Sequence, residues 1–376
     1  MTPVLSRVTL AGWAIAAIGL LGDCALIGLH LARRPWDADF RIVYAAATVG
    51  RGAGWSLLFD EGRIHAVEAA IGPAPYWAYL NPPPLAWLAA PFSYLDYRAA
   101  LAAWTVLLVA ALAAALWLAM PAIRGARMGW ALAATFWAFP VVFGISEGQP
   151  TAVLMLGVVA AWRLSGAGRD GLAGAALGLT LLKPHTAWLV PIAFAVAGRP
   201  RVLLGYAGVV IPITALSALS LGEAGLQAWL SALTQAKSGV PAPLFIFPAF
   251  LPGPEAFAAE GLAVVVTIAA AWRHRQSATP ALLIAIGVAG SLLAAPYLNI
   301  QDLSLLVVAG WLLWPEVGSW RQKALMGTVF VALLISPGTS QLVLPAEAIW
   351  LLANLVGSGN RDRADEGARR GTSGPA

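Results

Sequence analysis

The sequence predicts an all-α, polytopic membrane protein, a bundle of about 10–12 transmembrane helices. Three observations carry that expectation. Hydrophobic residues make up 60% of the chain and charged residues only 11%, where soluble domains carry about 25% charged residues. Apolar runs recur from Leu10 to Leu355, and a run of roughly 18 or more crosses a hydrocarbon core about 30 Å thick. The runs are continuous rather than alternating, which rules for helices over a barrel, because backbone polar groups in lipid must bond internally.

Taken in order, the first run, Leu10 to Ala32, is longer than a signal-peptide core and lacks a small-x-small cleavage site, so it reads as a retained helix. Asp23 lies inside it and is expected to pair internally. Cys24, also inside it, is the one cysteine of the chain, so neither a disulfide framework nor a cysteine metal site forms within one chain. Later crossings are expected near 99–120, 129–146, 150–163, 171–183, 186–198, 202–221, 259–272, 279–295, 303–314, 324–335 and 343–356. Several are short, and adjacent pairs among them are candidates for half-helices.

The loops between these runs set the orientation. With the N-terminus in the cytoplasm, Arg7, Arg124, Arg127, Arg163, Arg169, Arg199, Arg201, Arg273, Arg275, Arg321, Lys323 and the tail arginines all fall inside, most of the 23 Lys and Arg. Most acids then fall outside, and the Lys/Arg excess fixes the topology. Arg33 and Arg34 disagree and are outvoted. Both termini are therefore expected in the cytoplasm of a multi-pass protein of the inner (cytoplasmic) membrane. A sequence pI near 9.7 reflects these loop residues rather than a nucleic-acid face, and no nucleic-acid partner is expected. Membrane lipids are.

Residues 1–356 read as a single transmembrane domain. Its first outer loop, 33–84, carries most of the outward charge, and Leu85–Leu95 after it is too short to span, so it lies in the interface or re-enters. The second outer loop, 222–258, is rich in Pro, Phe and Ala and reads as a lid on the membrane surface. The tail, 357–376, is Gly, Arg and Asp with few apolar residues and is expected to be disordered.

Chemistry-bearing residues gather on the outer side. Asp37 and Asp39 in the first loop are either solvated carboxylates or a general base acting on an acceptor hydroxyl. Lys183-Pro184-His185 interrupts an apolar run; the lysine either snorkels from a loop or meets a lipid-linked phosphate, with Pro184 opening the helix and His185 adding a donor. Glu147-Gly148-Gln149-Pro150 and Tyr297-Leu298-Asn299-Ile300-Gln301-Asp302 are polar turns, each an ordinary hairpin when taken alone. Four such clusters on one face of an apolar chain suggest a site. His30, His65 and His274 have no metal-ligand spacing, and phosphate-cradling glycine loops are absent, which argues against an ATP-driven pump and an internal nucleotide-sugar site.

The order of these clusters resembles glycosyltransferase family 87, the polyprenol-phosphate-mannose-dependent mannosyltransferase-like membrane enzymes with a GT-C fold. The resemblance runs from Trp36 to Leu306: Asp39-Phe40, Tyr44-Ala45-Ala46 and Gly50, Tyr79 with Pro82-Pro83, Pro91, Gly148-Gln149, Lys183-Pro184, then Pro296-Tyr297 with Asp302-Leu303. It implies an inverting transfer of a sugar, mannose first, from a polyprenyl-phosphate donor to a lipid-linked or cell-envelope glycan acceptor. Asp39 would be the catalytic base, Lys183 and His185 would bind the donor phosphate, and Tyr44, Gln149, Tyr297, Asn299 and Asp302 would line the substrate cavity. No cofactor or metal is implied. Two other readings stay open: a lipid-linked glycan flippase or secondary transporter, and an inactive GT-C-like assembly subunit. The last follows from Pro150 and Tyr297, which stand where the family often has Asn and His.

Overall fold

The computed structural model describes residues 7–73, 75–239, 246–335 and 342–356. Among them the chain forms sixteen α-helices joined by short 3-10 turns, without a strand. Two long helices anchor the bundle: α1 (Arg7–Arg33) and α5 (Tyr97–Ile123), each of 27 residues. At about 1.5 Å per residue each outreaches the hydrocarbon core. Asp96 starts α5 by accepting from the backbone N–H groups of Arg98 and Ala99, both at 3.1 Å, which satisfies two donors that the first helical turn leaves free.

Among the described residues four helices are long and apolar enough to cross a membrane, or five if a bent pair counts as one. The other two full-length spans belong to α11 (Pro200–Gly239) and α12 (Gly253–Arg273). The bent pair is α6 (Ala126–Trp137) and α7 (Phe139–Ser146), which meet at 56°. The sequence suggested one crossing at 129–146; Pro140, in the first turn of α7, cannot donate to the preceding turn and starts a new helix. Shorter apolar helices occupy the remaining expected crossings: α8 (Thr151–Gly166), α9 (Asp170–Leu177) with the turn Gly178–Leu182, α13 (Pro280–Leu293), α14 (Ser304–Leu313), α15 (Trp320–Ile335) and α16 (Val343–Val356). With α10 (Leu189–Val196), only eight residues long, α9 makes a pair of half-helices around Lys183.

The segment 33–84, expected as the first outer loop, is helical. It folds into α2 (Phe40–Ala53) and α3 (Glu61–Ile71), and α4 (Pro83–Ala89) follows, burying Leu85, Ala86 and Ala89. The segment 222–258, expected as the second outer loop, begins as a continuation of α11 beyond a kink at Gly222, where φ is +63°. Residues 240–245 of the expected lid and the whole of the expected disordered tail lie outside the described residues. Asp23, expected to pair internally, has no hydrogen bond or ion pair among the described residues.

Glycines let the helices close. α1 and α6 meet at Gly12 and Gly129, where a Cβ would lie 3.1 Å from the Trp130 nitrogen and 2.8 Å from the Trp13 nitrogen respectively. Trp137 then donates from Nε1 to the Ile15 carbonyl at 2.9 Å. Small residues serve this way where lipid supplies no hydrophobic drive between helices.

Candidate functional site

The site is assembled on the turn between α7 and α8. Gly148 there has φ +69°, a left-handed conformation that glycine adopts without strain. A Cβ at Gly148 would stand 2.6 Å from that of Phe40, so the turn presses directly on the start of α2. Trp104 of α5 locks the contact. Its Nε1 donates to the Gly148 carbonyl at 2.7 Å, and its ring stacks on Phe40 with centroids 5.0 Å apart. The backbone N–H of Phe40 donates to the Glu147 carbonyl at 2.9 Å, and that of Asp39 donates to Glu147 Oε2 at 3.2 Å. These bonds hold the Asp39 carboxylate against Gln149, whose Nε2 donates to Oδ2 at 2.6 Å.

A second cluster forms where the helical path breaks. The turns Gly178–Leu182 and Pro184–Thr186 flank Lys183, whose own φ of −144° is extended. Lys183 Nζ meets Asp302 Oδ1 at 2.6 Å, with the two side chains 3% and 0% exposed. The other Asp302 oxygen accepts from the Asn299 backbone N–H at 2.9 Å, completing a capping box at the turn Ile300–Leu303. Tyr297 donates its hydroxyl proton to Asn299 Oδ1 at 3.1 Å and presents its ring at a steep angle to His185, centroids 6.4 Å apart. His185 Nε2 lies 3.6 Å from Asp302 Oδ2, beyond a hydrogen bond. It is buried without a hydrogen-bond partner.

The two clusters share one electrostatic field. Burial raises the pKa of Asp39 above the usual carboxylate range; the Gln149 hydrogen bond and the Lys183 charge pull it back, Asp302 raises it, and Arg41 lowers it. Burial, followed by the charge of Asp39, pushes Glu147 up to about 7. The α7 end and the Asp302 turn also touch, since a Cβ at Gly144 would meet that of Gln301 at 3.3 Å. The structure thus brings together Asp39, Gln149, Lys183, His185, Tyr297, Asn299 and Asp302. Asp37 stays outside, exposed, 3.9 Å from Arg34.

Tyr44 does not join them. Its hydroxyl donates to the Leu95 carbonyl at 2.8 Å, and it lines a separate cavity of about 380 Å³ with Asp96, Tyr97 and Arg98. The residue that the sequence left unmarked is Arg41, two positions beyond Asp39. It is paired with Glu68 of α3 at 3.5 Å, the two side chains 3% and 2% exposed. One guanidinium nitrogen donates to the Pro75 carbonyl, while Nη1 is buried without a hydrogen-bond partner. The sequence signal was there: an arginine among Phe, Ile, Val and Ala.

The family model for glycosyltransferase family 87 matches residues 79–337. That stretch holds Gln149, Lys183, His185, Tyr297, Asn299 and Asp302, and it begins after Asp39 and Tyr44. No curated protein matches, and no solved structure does.

Proposed function

Because the chain belongs to glycosyltransferase family 87 and is a membrane glycosyltransferase, we propose that it takes its sugar from a polyprenyl phosphate. Mannose is the sugar proposed, and a lipid-linked or cell-envelope glycan is the acceptor. The reaction is placed at the outer face of the cytoplasmic membrane, with both termini inside, on the strength of the Lys/Arg bias. Membership of an enzyme family favours this reading over the flippase.

The observation that carries the mechanism is the Asp39 carboxylate, half-buried and oriented by Gln149 at 2.6 Å. In the proposed step the acceptor hydroxyl gives its proton to Asp39 as its oxygen attacks the anomeric carbon. The bond from that carbon to the phosphate oxygen breaks on the opposite face, inverting the configuration, and the polyprenyl phosphate leaves with the electron pair. Raising the pKa of Asp39 makes it a better proton acceptor, provided it stays ionised at the working pH. The leaving phosphate is assigned to Lys183 and His185. Asp302 holds Lys183 at 2.6 Å and lies 3.6 Å from His185 Nε2, so the two nitrogen groups assigned to the phosphate are gathered round one buried carboxylate. Fixed donors in a dry site stabilise such a developing charge without reorganising. Gln149, Tyr297 and Asn299 are assigned to the sugar.

The experiment compares two neighbouring carboxylates. Asp39→Asn is expected to lower the transfer rate by about 10²-fold or more with donor binding retained. Asp37→Asn, exposed and paired with Arg34, is expected to transfer at the wild-type rate. The reverse pattern would move the base to Asp37, and an active Asp39→Asn would remove the general base from this loop.

A further inference from the structure

A cavity of about 540 Å³ opens between α6, α13, α14, α15 and α16. None of Asp39, Gln149, Lys183, His185, Tyr297, Asn299 and Asp302 lines it. Its walls include Ile123 at the end of α5, Trp130 in the first turns of α6 and Trp314 after α14. Leu306 and Val307, in the first turns of α14 after the Asp302 turn, also line it, so the two share a helix but no site residue. The cavity is therefore separate from the proposed sugar-transfer centre, and the inference below does not rest on that assignment.

The lining is mostly alanine, leucine, valine and aromatic side chains, with Arg127 at its exposed edge, and two of its buried polar atoms lack a partner among the described residues. Glu347 and Trp350 are 3% and 6% exposed. Among the described residues, Glu347 Oε1 and Trp350 Nε1 have no hydrogen-bond partner. Both residues line the cavity, and three positions apart on α16 they share one helical face. Buried polar groups are as a rule partnered, so this pair calls for a ligand atom that accepts from the indole N–H and also bonds the carboxyl group. Water serves badly here, since a bound water draws on about three polar partners and, apart from the exposed Arg127, the rest of the wall is apolar. The volume falls within the roughly 300–1,000 Å³ of small-molecule sites.

We propose that this cavity binds a single-chain, membrane-dissolved alcohol. Its hydroxyl oxygen accepts from Trp350 Nε1, its hydroxyl proton goes to Glu347 Oε1, and its chain runs along the apolar wall. A hydroxyl supplies one acceptor and one donor on one atom, and an unbranched chain fills the remaining volume.

The test uses the full chain in nanodiscs and two photoreactive probes, a long-chain alcohol and its matched alkane, each with a diazirine at mid-chain. Cross-linked peptides are then mapped by mass spectrometry. The alcohol is expected to label the peptides of α6, α15 and α16 saturably, with competition by unlabelled alcohol, and the alkane about tenfold less, the scale of one or two lost hydrogen bonds. The double variant Glu347→Leu with Trp350→Phe is expected to bring alcohol labelling down to the alkane level. Ala309→Phe, which fills the cavity from α14 and leaves the polar pair intact, is expected to lower labelling by both probes and decides the matter if the double variant does not fold. Equal labelling by alcohol and alkane would show a greasy crevice without hydroxyl recognition. Labelling that neither competes nor responds to Ala309→Phe would show a cavity holding water or bulk lipid only. Either result overturns the proposal.

Discussion

A proton-accepting carboxylate has to be partly dry, to hold the proton, and partly supported, to exist as an anion. Asp39 meets both demands: burial raises its pKa while Gln149 and Lys183 lower it. Glu147 beside it receives less support, and burial pushes it up to about 7. A carboxyl whose folded pKa is raised binds its proton more tightly when folded, so the protein loses stability as pH rises from the ordinary 4.5 through about 7. Glu147→Gln should therefore raise thermal stability at pH 8, by an amount on the order of 1–2 kcal/mol, and bring no gain below the unfolded carboxyl range. A melting series across pH reads this directly, and an equal gain at every pH would contradict it. The Lys183–Asp302 pair obeys a different rule. Both members are buried, so removing one leaves an uncompensated charge, a loss of about 3–5 kcal/mol. Lys183→Met alone should destabilise strongly, and adding Asp302→Leu should recover most of the loss. If the double variant is stable but no longer binds donor, the pair serves binding; if it binds normally, the pair is structural. Asp39, Lys183 and Asp302 were legible as charges in an apolar context. The Arg41–Glu68 pair was not, because its partners belong to different helices and meet only once α2 and α3 fold against each other.

Elements bend where the covalent chain permits and close where side chains are absent. The continuous apolar runs predicted helices, and the structure has them. Their lengths were less legible, because hydropathy does not register a break such as the 56° bend between α6 and α7 or the positive φ of Gly222. The outer segment 33–84 reads as a loop because its polar residues are dense. Yet α2 buries Phe40, Val43, Ala45, Ala46, Ala47 and Val49, a helical spacing that interleaves with its charges. The packing of α9 on α11 gives a direct test at this scale. A Cβ at Gly205 would fall inside the van der Waals envelope of the Gly171 carbonyl oxygen, whereas one at Gly208 meets nothing within 4 Å. Gly205→Val should therefore cost about 1–3 kcal/mol by forcing the two helices apart, and Gly208→Val, three residues on, should be near neutral. Thermal unfolding in detergent compares the two, and equal effects would contradict the close approach.

At the scale of the molecule, the apolar helices serve to carry a few polar groups to one end of the bundle and hold them there. Gln149 comes from the turn before α8, Lys183 and His185 from the break between α9 and α10, Asp302 from the turn before α14, and Asp39 from the start of α2. Membrane class, helical fold and family order were legible because composition and motif sequence survive without coordinates. The exclusion of Tyr44 was not, since it depends on which face of α2 turns toward Gln149. Donor chemistry is the central claim, and it is tested most directly with the purified, full-length protein in nanodiscs, offered labelled mannose either on polyprenyl phosphate or on a nucleoside diphosphate. The account predicts transfer from the polyprenyl-phosphate donor alone, into a product of inverted anomeric configuration, slowed about 10²-fold or more in Asp39→Asn. Transfer from the nucleoside diphosphate sugar at a comparable rate, or a product of retained configuration, would contradict it.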